Sequence, residues 1–180
     1  MHALIVHSHP EPASFNSALT EVAKDTLMGL GHSVKISDLY AERFDPVEKP
    51  EHYRNRKSTD FFATTNEQRH ASETCTLPED VVREIARLKR ANLVVFQFPL
   101  WNHGVPAILK GWFDRVFVSG GIHTSGMRHD RGFFRGIPTI CSVTTGAEAT
   151  AFEPYSYAGD INGLMYPIAS PPKTWRANGS

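Results

Sequence analysis

Three short segments hold the side chains of this sequence that could bind and orient a ligand. They are His7–Ser17 (HSHPEPASFNS), Pro99–Gly104 (PLWNHG) and Thr144–Ala147 (TTGA). A helix that begins inside the first segment would present unpaired N–H groups and a positive dipole end to a phosphate. The second segment offers the flat ring of Trp101 between polar neighbours, which suits a planar ring system. The third adds two hydroxyls and accessible backbone.

Each segment also has a simpler interpretation. The first is what a plain N-capped helix looks like, with Ser14 as the cap, and it lacks both the P-loop and the G-x-G-x-x-G patterns. The third could be an ordinary turn after a strand. His7 and His9 could form a metal pair, but no third ligand has a fitting spacing, so we predict no metal site. A Ser–His hydrolase is disfavoured because no G-x-S-x-G elbow is present.

The elements that must position these segments are predicted by apolar periodicity. Four runs are typical of strands: Ala3–Val6, His32–Leu39, Leu93–Phe98 and Ile137–Thr144. The pattern also predicts four helices: one from Ser14 to a stop at Gly31, then Leu77–Lys89, Val105–Phe117 and Ile161–Ile168. The first helix carries apolar residues at Leu19, Val22, Ala23, Leu27 and Leu30. Strands that alternate with helices predict an α/β fold with a doubly wound parallel sheet.

Two segments show weaker patterns. Tyr40–Thr76 is polar and contains two prolines, so we expect a long excursion with short helical pieces, which is often functional. Val118–Phe134 is rich in glycine and predicts a loop or hairpin. We expect one domain over residues 1–168 and an unstructured tail over 169–180.

Composition excludes several classes of partner. The 180 residues carry 19 basic and 19 acidic side chains, a net charge of zero, so we expect neither nucleic-acid nor anionic-membrane binding. The two cysteines, Cys75 and Cys141, show neither a disulfide pattern nor the spacing of metal ligands. We predict that Cys141 is a small core residue. No apolar run could span a membrane and no signal peptide is visible. The expected location is cytoplasmic.

Convergence of the three segments favours a common binding site. With the strands ordered second, first, third, fourth, the loops after the first, third and fourth strands open at one edge of the sheet. That edge is the topological switch point, where flavodoxin-like folds hold a flavin.

The sequence resembles the cytosolic NAD(P)H:quinone oxidoreductase (DT-diaphorase) family. The resemblance is close in FQFPLWNHGVPAILKGWFDRVF, good in HSHPEPASFNSAL and SVTTGA, and recognisable in GIHTSGMRHDRGFFRG, and it runs from residue 1 to about Ile168. It implies a flavodoxin-like fold, FAD (or FMN) as cofactor, and a homodimer. It also implies ping-pong two-electron reduction of a quinone, with NAD(P)H as co-substrate.

The resemblance also assigns binding roles. The phosphates and ribityl chain of the flavin would contact His9, Ser14, Phe15, Asn16 and Ser17. The isoalloxazine would lie against Pro99, Leu100, Trp101, Asn102 and His103, and its polar edge would meet Thr144, Thr145 and Gly146.

Some family positions differ here. Members carry a tyrosine and a histidine that stabilise the reduced flavin, and Phe152 and Ala158 take those places. We predict Tyr155 as a substitute, with Tyr157 nearby. His123 and Ser125 replace two pocket tyrosines, so we also predict a catalytic role for His123. Asn102–His103 replaces an aromatic pair.

The ending differs as well. After Tyr166–Ile168 the family continues into a fifth strand and a last helix, whereas this sequence reads ASPPKTWRANGS. We therefore expect the last strand and helix to be missing, with low stability and weak flavin retention. Two further readings stay open: a non-catalytic flavin-binding regulatory subunit of the potassium-efflux ancillary type, and a degenerate, truncated reductase.

Overall fold

The part of the sheet that the structure describes has four parallel strands, whose order matches the prediction. The computed structural model describes residues 1–124 and 132–169. Its strands are β1 (His2–His7), β2 (Ser33–Asp38), β3 (Leu93–Pro99) and β4 (Thr139–Thr144), in the order β2-β1-β3-β4. The flavodoxin-like α/β prediction is confirmed.

Within the described residues, five α-helices accompany the sheet: α1 (Phe15–Gly29), α2 (Thr64–Glu73), α3 (Glu79–Arg90), α4 (Ala107–Val116) and α5 (Ile161–Ala169). Ala23 and Leu27 of α1 pack on a small core on one face of the sheet. Side chains of α3 and α4 pack on a larger core on the opposite face, around Phe96 and Phe98 of β3. Cys141 is half-buried beside that core, and burial raises the pKa of its thiol.

The face of α1 that meets the sheet differs from the predicted one. Val22 and Leu30 are exposed, while Asn16 and Thr20 are buried. The reason is that His7, the last residue of β1, and its register partner Gln97 on β3 give polar helix residues buried hydrogen-bond partners on this face.

The polar excursion between β2 and α3 contains one 3₁₀ turn, Pro50–His52, and α2. It packs on α4 at Gly111, where a side chain would clash with the backbone of Pro46. Its interior combines buried apolar side chains, such as Phe44 and Tyr53, with a buried charge: the carboxylate of Glu67 is almost fully buried and accepts from the backbone N–H groups of Lys57 and Ser58.

The described parts of the remaining segments agree with the predictions where they can be compared. The glycine-rich segment begins with a turn over Val118–His123, and α5 forms where a helix was predicted. Ser125 and the tail from residue 170 lie outside the described residues. Among the helices that the structure describes, none has the length and apolar character needed to cross a bilayer.

Candidate functional site

The loop after β1 ends in a capped helix start. The Ser14 side chain accepts from the N–H of Ser17 at 3.1 Å, and the Ser14 carbonyl accepts from Ala18 at 3.0 Å. The N–H groups of Phe15 and Asn16 precede these capped positions and have no protein partner among the described residues. Two donors and the positive dipole end are therefore available to an anion.

This loop is held by its own polar contacts. The N–H of Glu11 donates to Nδ1 of His9 at 3.1 Å, and the N–H of Ala13 donates to the Glu11 carboxylate at 2.8 Å. At its start, the N–H of Ser8 donates to the carbonyl of Gln97 on β3 at 3.1 Å. The loop therefore has a defined shape before any ligand binds.

The loop after β3 is a tight two-residue turn. Trp101 and Gly104 exchange two backbone hydrogen bonds of 3.0 Å, and Asn102 and His103 between them have φ values of 49° and 59°. Positive φ at both central positions is typical of a type I′ turn, which glycine or asparagine usually occupies. The turn presents the Trp101 ring, which is 41% exposed.

The ring of Trp101 also connects the first and second loops. Its centroid lies 5.7 Å from the centroid of the His9 ring, with 59° between the planes. An exposed aromatic face thus stands beside the anion-binding turn, as a ligand with a phosphate and a planar ring would require.

The buried amide of Asn16 joins the first loop to β3 and to the third loop. The amide nitrogen of Asn16 donates to the hydroxyl of Thr144 at 2.7 Å, and its oxygen accepts from the Gln97 amide at 2.9 Å. The N–H of Leu100 donates to the Thr144 carbonyl at 2.8 Å. Asn16 therefore positions the loops, since its side chain is committed to protein partners.

The third loop leaves space at the edge of the site. Thr145 and Gly146 are exposed, and a methyl group at Gly146 would meet no atom within 4 Å. The Thr145 hydroxyl donates to the Ala147 carbonyl at 3.1 Å. Pro99 is buried at the end of β3, in register with Thr144, and lies two residues before the turn residue Trp101.

The structure does not join the two predicted catalytic residues to these loops. Tyr155 is fully exposed in a turn, with φ of 69°. His123 is exposed in the turn after α4, where its N–H donates to the carbonyl of Val118 at 3.1 Å. Among the described residues, no hydrogen bond or ring contact links either residue to Trp101 or Thr144. Both roles stay predictions.

Sequence reasoning placed His7 at the start of the first segment but assigned it no binding role, whereas the structure makes it part of this site. The imidazole is buried and contacts the hydroxyls of Ser17 and Thr20. Burial lowers its pKa, and nearby His9 acts in the same direction, while the carboxylates of Asp38 and Glu21 oppose the shift. A histidine directly before a predicted phosphate-binding loop was the available signal. No three potential metal ligands cluster within the part of the chain that the structure describes.

Comparison with known proteins agrees with the fold. Residues 1–170 match a family described as having a flavodoxin-like fold. The chain is 40% identical to the NAD(P)H dehydrogenase [quinone] 1 of Rattus norvegicus, over 93% of this chain and 62% of that protein. It is 37% identical to the ribosyldihydronicotinamide dehydrogenase [quinone] of Mus musculus, over 92% of this chain and 72% of that protein.

A crystal structure of a candidate quinone reductase from Klebsiella pneumoniae has the same architecture. Its TM-score is 0.85 at 34% identity, over 93% of this chain and 68% of that one. The chain thus spans about two thirds of the length of these relatives, and 62% of the rat protein. These matches establish that the chain belongs to the flavodoxin-like family of NAD(P)H:quinone oxidoreductases.

Proposed function

We propose that this protein catalyses the flavin-dependent, two-electron reduction of quinones by NAD(P)H, with the two substrates using one site in turn. The observation that carries the proposal is the composite site. Asn16, in the anion-binding helix start, bonds Gln97 of β3 and Thr144 of the third loop, and Thr144 in turn bonds Leu100 of the segment that holds the aromatic turn. The quinone-reductase relatives add independent support for the substrate class.

The residues present fit a flavin. The free N–H groups of Phe15 and Asn16 would bind a phosphate, helped by His9 and the hydroxyls of Ser14 and Ser17. The ring of Trp101 would stack on the isoalloxazine, with Leu100, Asn102 and His103 around it. Thr145 and Gly146 would face its polar edge.

The bound flavin would supply the redox chemistry, by taking a hydride from NAD(P)H and giving it to the quinone. The protein's own part is to hold the ring and to leave one face open. The Trp101 turn covers one side of the site, and the open space at Gly146 leaves room at its edge. Because a single open face serves both substrates, we expect ping-pong kinetics.

We also propose that FAD is the resident flavin and that the protein works as a homodimer. The proposal of FAD rests on the family resemblance of the three loops. The proposal of a dimer is supported by the exposed rings of Phe15 and Tyr155, which a second copy could cover. In such a dimer Tyr155 and His123 could act on the substrate, although among the described residues no hydrogen bond or ring contact joins either one to the loops of its own chain.

The first experiment is spectroscopic. The purified protein is examined for flavin absorbance, any released flavin is identified, and its mass in solution is measured. We expect FAD and a dimer. A protein that stays colourless after incubation with FAD and FMN would refute the proposed cofactor.

The second experiment measures turnover with NADH or NADPH and a simple naphthoquinone. Parallel lines in double-reciprocal plots are expected from one shared site, and intersecting lines would contradict it. Flavin that binds without turnover would favour the regulatory-subunit reading instead.

A further inference from the structure

His7 lies at the point where β1 ends beneath the anion-binding turn. Its side chain is only 3% exposed, and both of its ring nitrogens lie near hydroxyls of α1. Nδ1 is 2.8 Å from the hydroxyl of Thr20, and Nε2 is 3.3 Å from the hydroxyl of Ser17. The ring therefore stands between two points one turn apart on the helix.

The contact with Ser17 continues into the loop. The Ser17 hydroxyl donates to the carbonyl of Glu11 at 2.9 Å and lies 3.0 Å from the hydroxyl of Ser14. Ser14 in turn caps the helix by accepting from the N–H of Ser17. A continuous polar chain thus runs from the buried imidazole to the cap that leaves two N–H donors free.

Filling the core does not require a histidine at this position. Ala3 and Ile5, which share this face of β1, belong to an apolar core, and an apolar residue at position 7 would continue it. A buried imidazole instead needs hydrogen-bond partners to offset its desolvation. His7 finds both of them on α1.

We infer that His7 is a positioning residue that, through the Ser17 hydroxyl, holds the first turn of α1 in the shape that binds the phosphate of the cofactor. The inference rests on the proposed flavin site. It assigns the effect to one ring nitrogen, because only Nε2 contacts Ser17, while Nδ1 contacts Thr20 further along the helix.

Two substitutions separate the roles of the two nitrogens. In His7→Gln the amide group lies near the former Nε2 and can still bond Ser17. In His7→Asn it lies near the former Nδ1 and can reach only Thr20. Both place one amide in the same pocket, so similar unfolding temperatures are expected, and this checks that both variants fold.

The measurement is the Kd for FAD and, separately, for inorganic pyrophosphate, the latter followed by the NMR shifts of the Phe15 and Asn16 amides. His7→Asn is expected to weaken both ligands about tenfold, as the loss of one hydrogen bond would. His7→Gln should stay within about twofold of the unmodified protein. In a Ser17→Ala background the difference between the two variants should vanish.

Each other outcome is informative. The role of His7 would be overturned if His7→Asn and His7→Gln bound the ligands with the same Kd, whether both were weakened or neither was. It would also be overturned if the difference in Kd between the two variants remained in the Ser17→Ala background. If FAD fails to bind but pyrophosphate shows the expected pattern, the proposed function falls and the role of His7 stands. If the folded, unmodified protein binds neither ligand, both proposals fall.

Discussion

At the scale of single residues, the site depends on polar side chains that face inward. Asn16 and Thr20 occupy the positions of α1 that face the sheet. The sequence pattern had predicted that apolar residues of this helix would face it instead. The partners of Thr20 and Asn16, His7 and Gln97, are paired in register on the adjacent strands β1 and β3. A buried polar network fixes one arrangement of its side chains only when every group in it has a hydrogen-bond partner. Because these groups are paired with one another, the loops are joined without a ligand.

The buried His7 predicts a pH dependence of stability. Burial holds the pKa of His7 below its ordinary value of 6.5, with a smaller contribution in the same direction from His9 and opposition from Asp38 and Glu21. The unfolded chain therefore binds a proton at this position more readily than the folded chain. The contribution of the neutral imidazole to the free energy of unfolding is fully present above pH 6.5. It is lost as the pH falls toward the pKa of His7 in the folded protein.

Chemical denaturation at several pH values tests this dependence, with His7→Gln as the variant that lacks the titrating ring. Between about pH 7.5 and 5.5 the unmodified protein should lose more free energy of unfolding than His7→Gln, with a difference in slope of at most about 1.4 kcal/mol per pH unit. Parallel pH profiles would show that His7 has the same pKa in both states.

At the scale of elements, the strands and main helices were predictable because their burial follows a period. β1 and β3 are buried at almost every position, and α3 places Val81, Ile85 and Leu88 on one buried face as expected. The Trp101–Gly104 turn was less predictable, because asparagine and histidine rather than glycine take its two positive φ positions.

The excursion between β2 and α3 was the hardest part to predict, because its interior contains a buried charged group beside apolar side chains. Burial by itself would raise the pKa of Glu67, but the N–H groups of Lys57 and Ser58 and the guanidinium of Arg56 together lower it. Hydropathy treats such a carboxylate as exposed. Only the three-dimensional partners, including the Arg56 ion pair at 3.2 Å, show why it is buried.

The contact between the excursion and α4 gives a prediction at this scale. Because a methyl group at Gly111 would clash with the backbone of Pro46, Gly111→Ala should lower the free energy of unfolding by about 2 kcal/mol. Helix propensity alone would favour alanine by about 1 kcal/mol, so the sign of the change identifies the contact.

Gly29→Ala is the matched control in α1, since a methyl group there meets no atom within 4 Å. Its effect should be neutral or stabilising by less than about 1 kcal/mol. Denaturant titration of both variants provides the comparison. A stabilised Gly111→Ala would mean that the excursion does not rest on α4.

At the scale of the whole molecule, the site exists only when distant parts of the chain are folded together. Asn16 and Thr144 are 128 positions apart, and Asn16 and Gln97 are 81 apart. Since the unfolded chain cannot present these loops together, a flavin should bind the native state and not the unfolded state. Its binding free energy then adds to the stability of the fold.

This linkage predicts a thermal shift on addition of FAD to the flavin-free protein. At about a hundred times Kd the gain is about 2.7 kcal/mol, which for a chain of this length corresponds to a rise in Tm of about 5–10 °C. The rise should grow with the logarithm of the FAD concentration. Differential scanning fluorimetry over a concentration series measures it.

Trp101→Ala tests whether the Trp101 ring supplies part of the binding free energy of FAD. The ring is 41% exposed and lies in a surface turn, so its removal should leave the Tm of the flavin-free protein nearly unchanged. Losing a stacked aromatic ring typically costs about 1–3 kcal/mol, so the rise at a fixed FAD concentration should shrink by about a third or more. Phe61→Ala, which removes an exposed ring from the excursion, should keep the full rise. Equal rises in the two variants would place the flavin elsewhere, because a ligand on the proposed surface cannot bind without contacting the Trp101 ring.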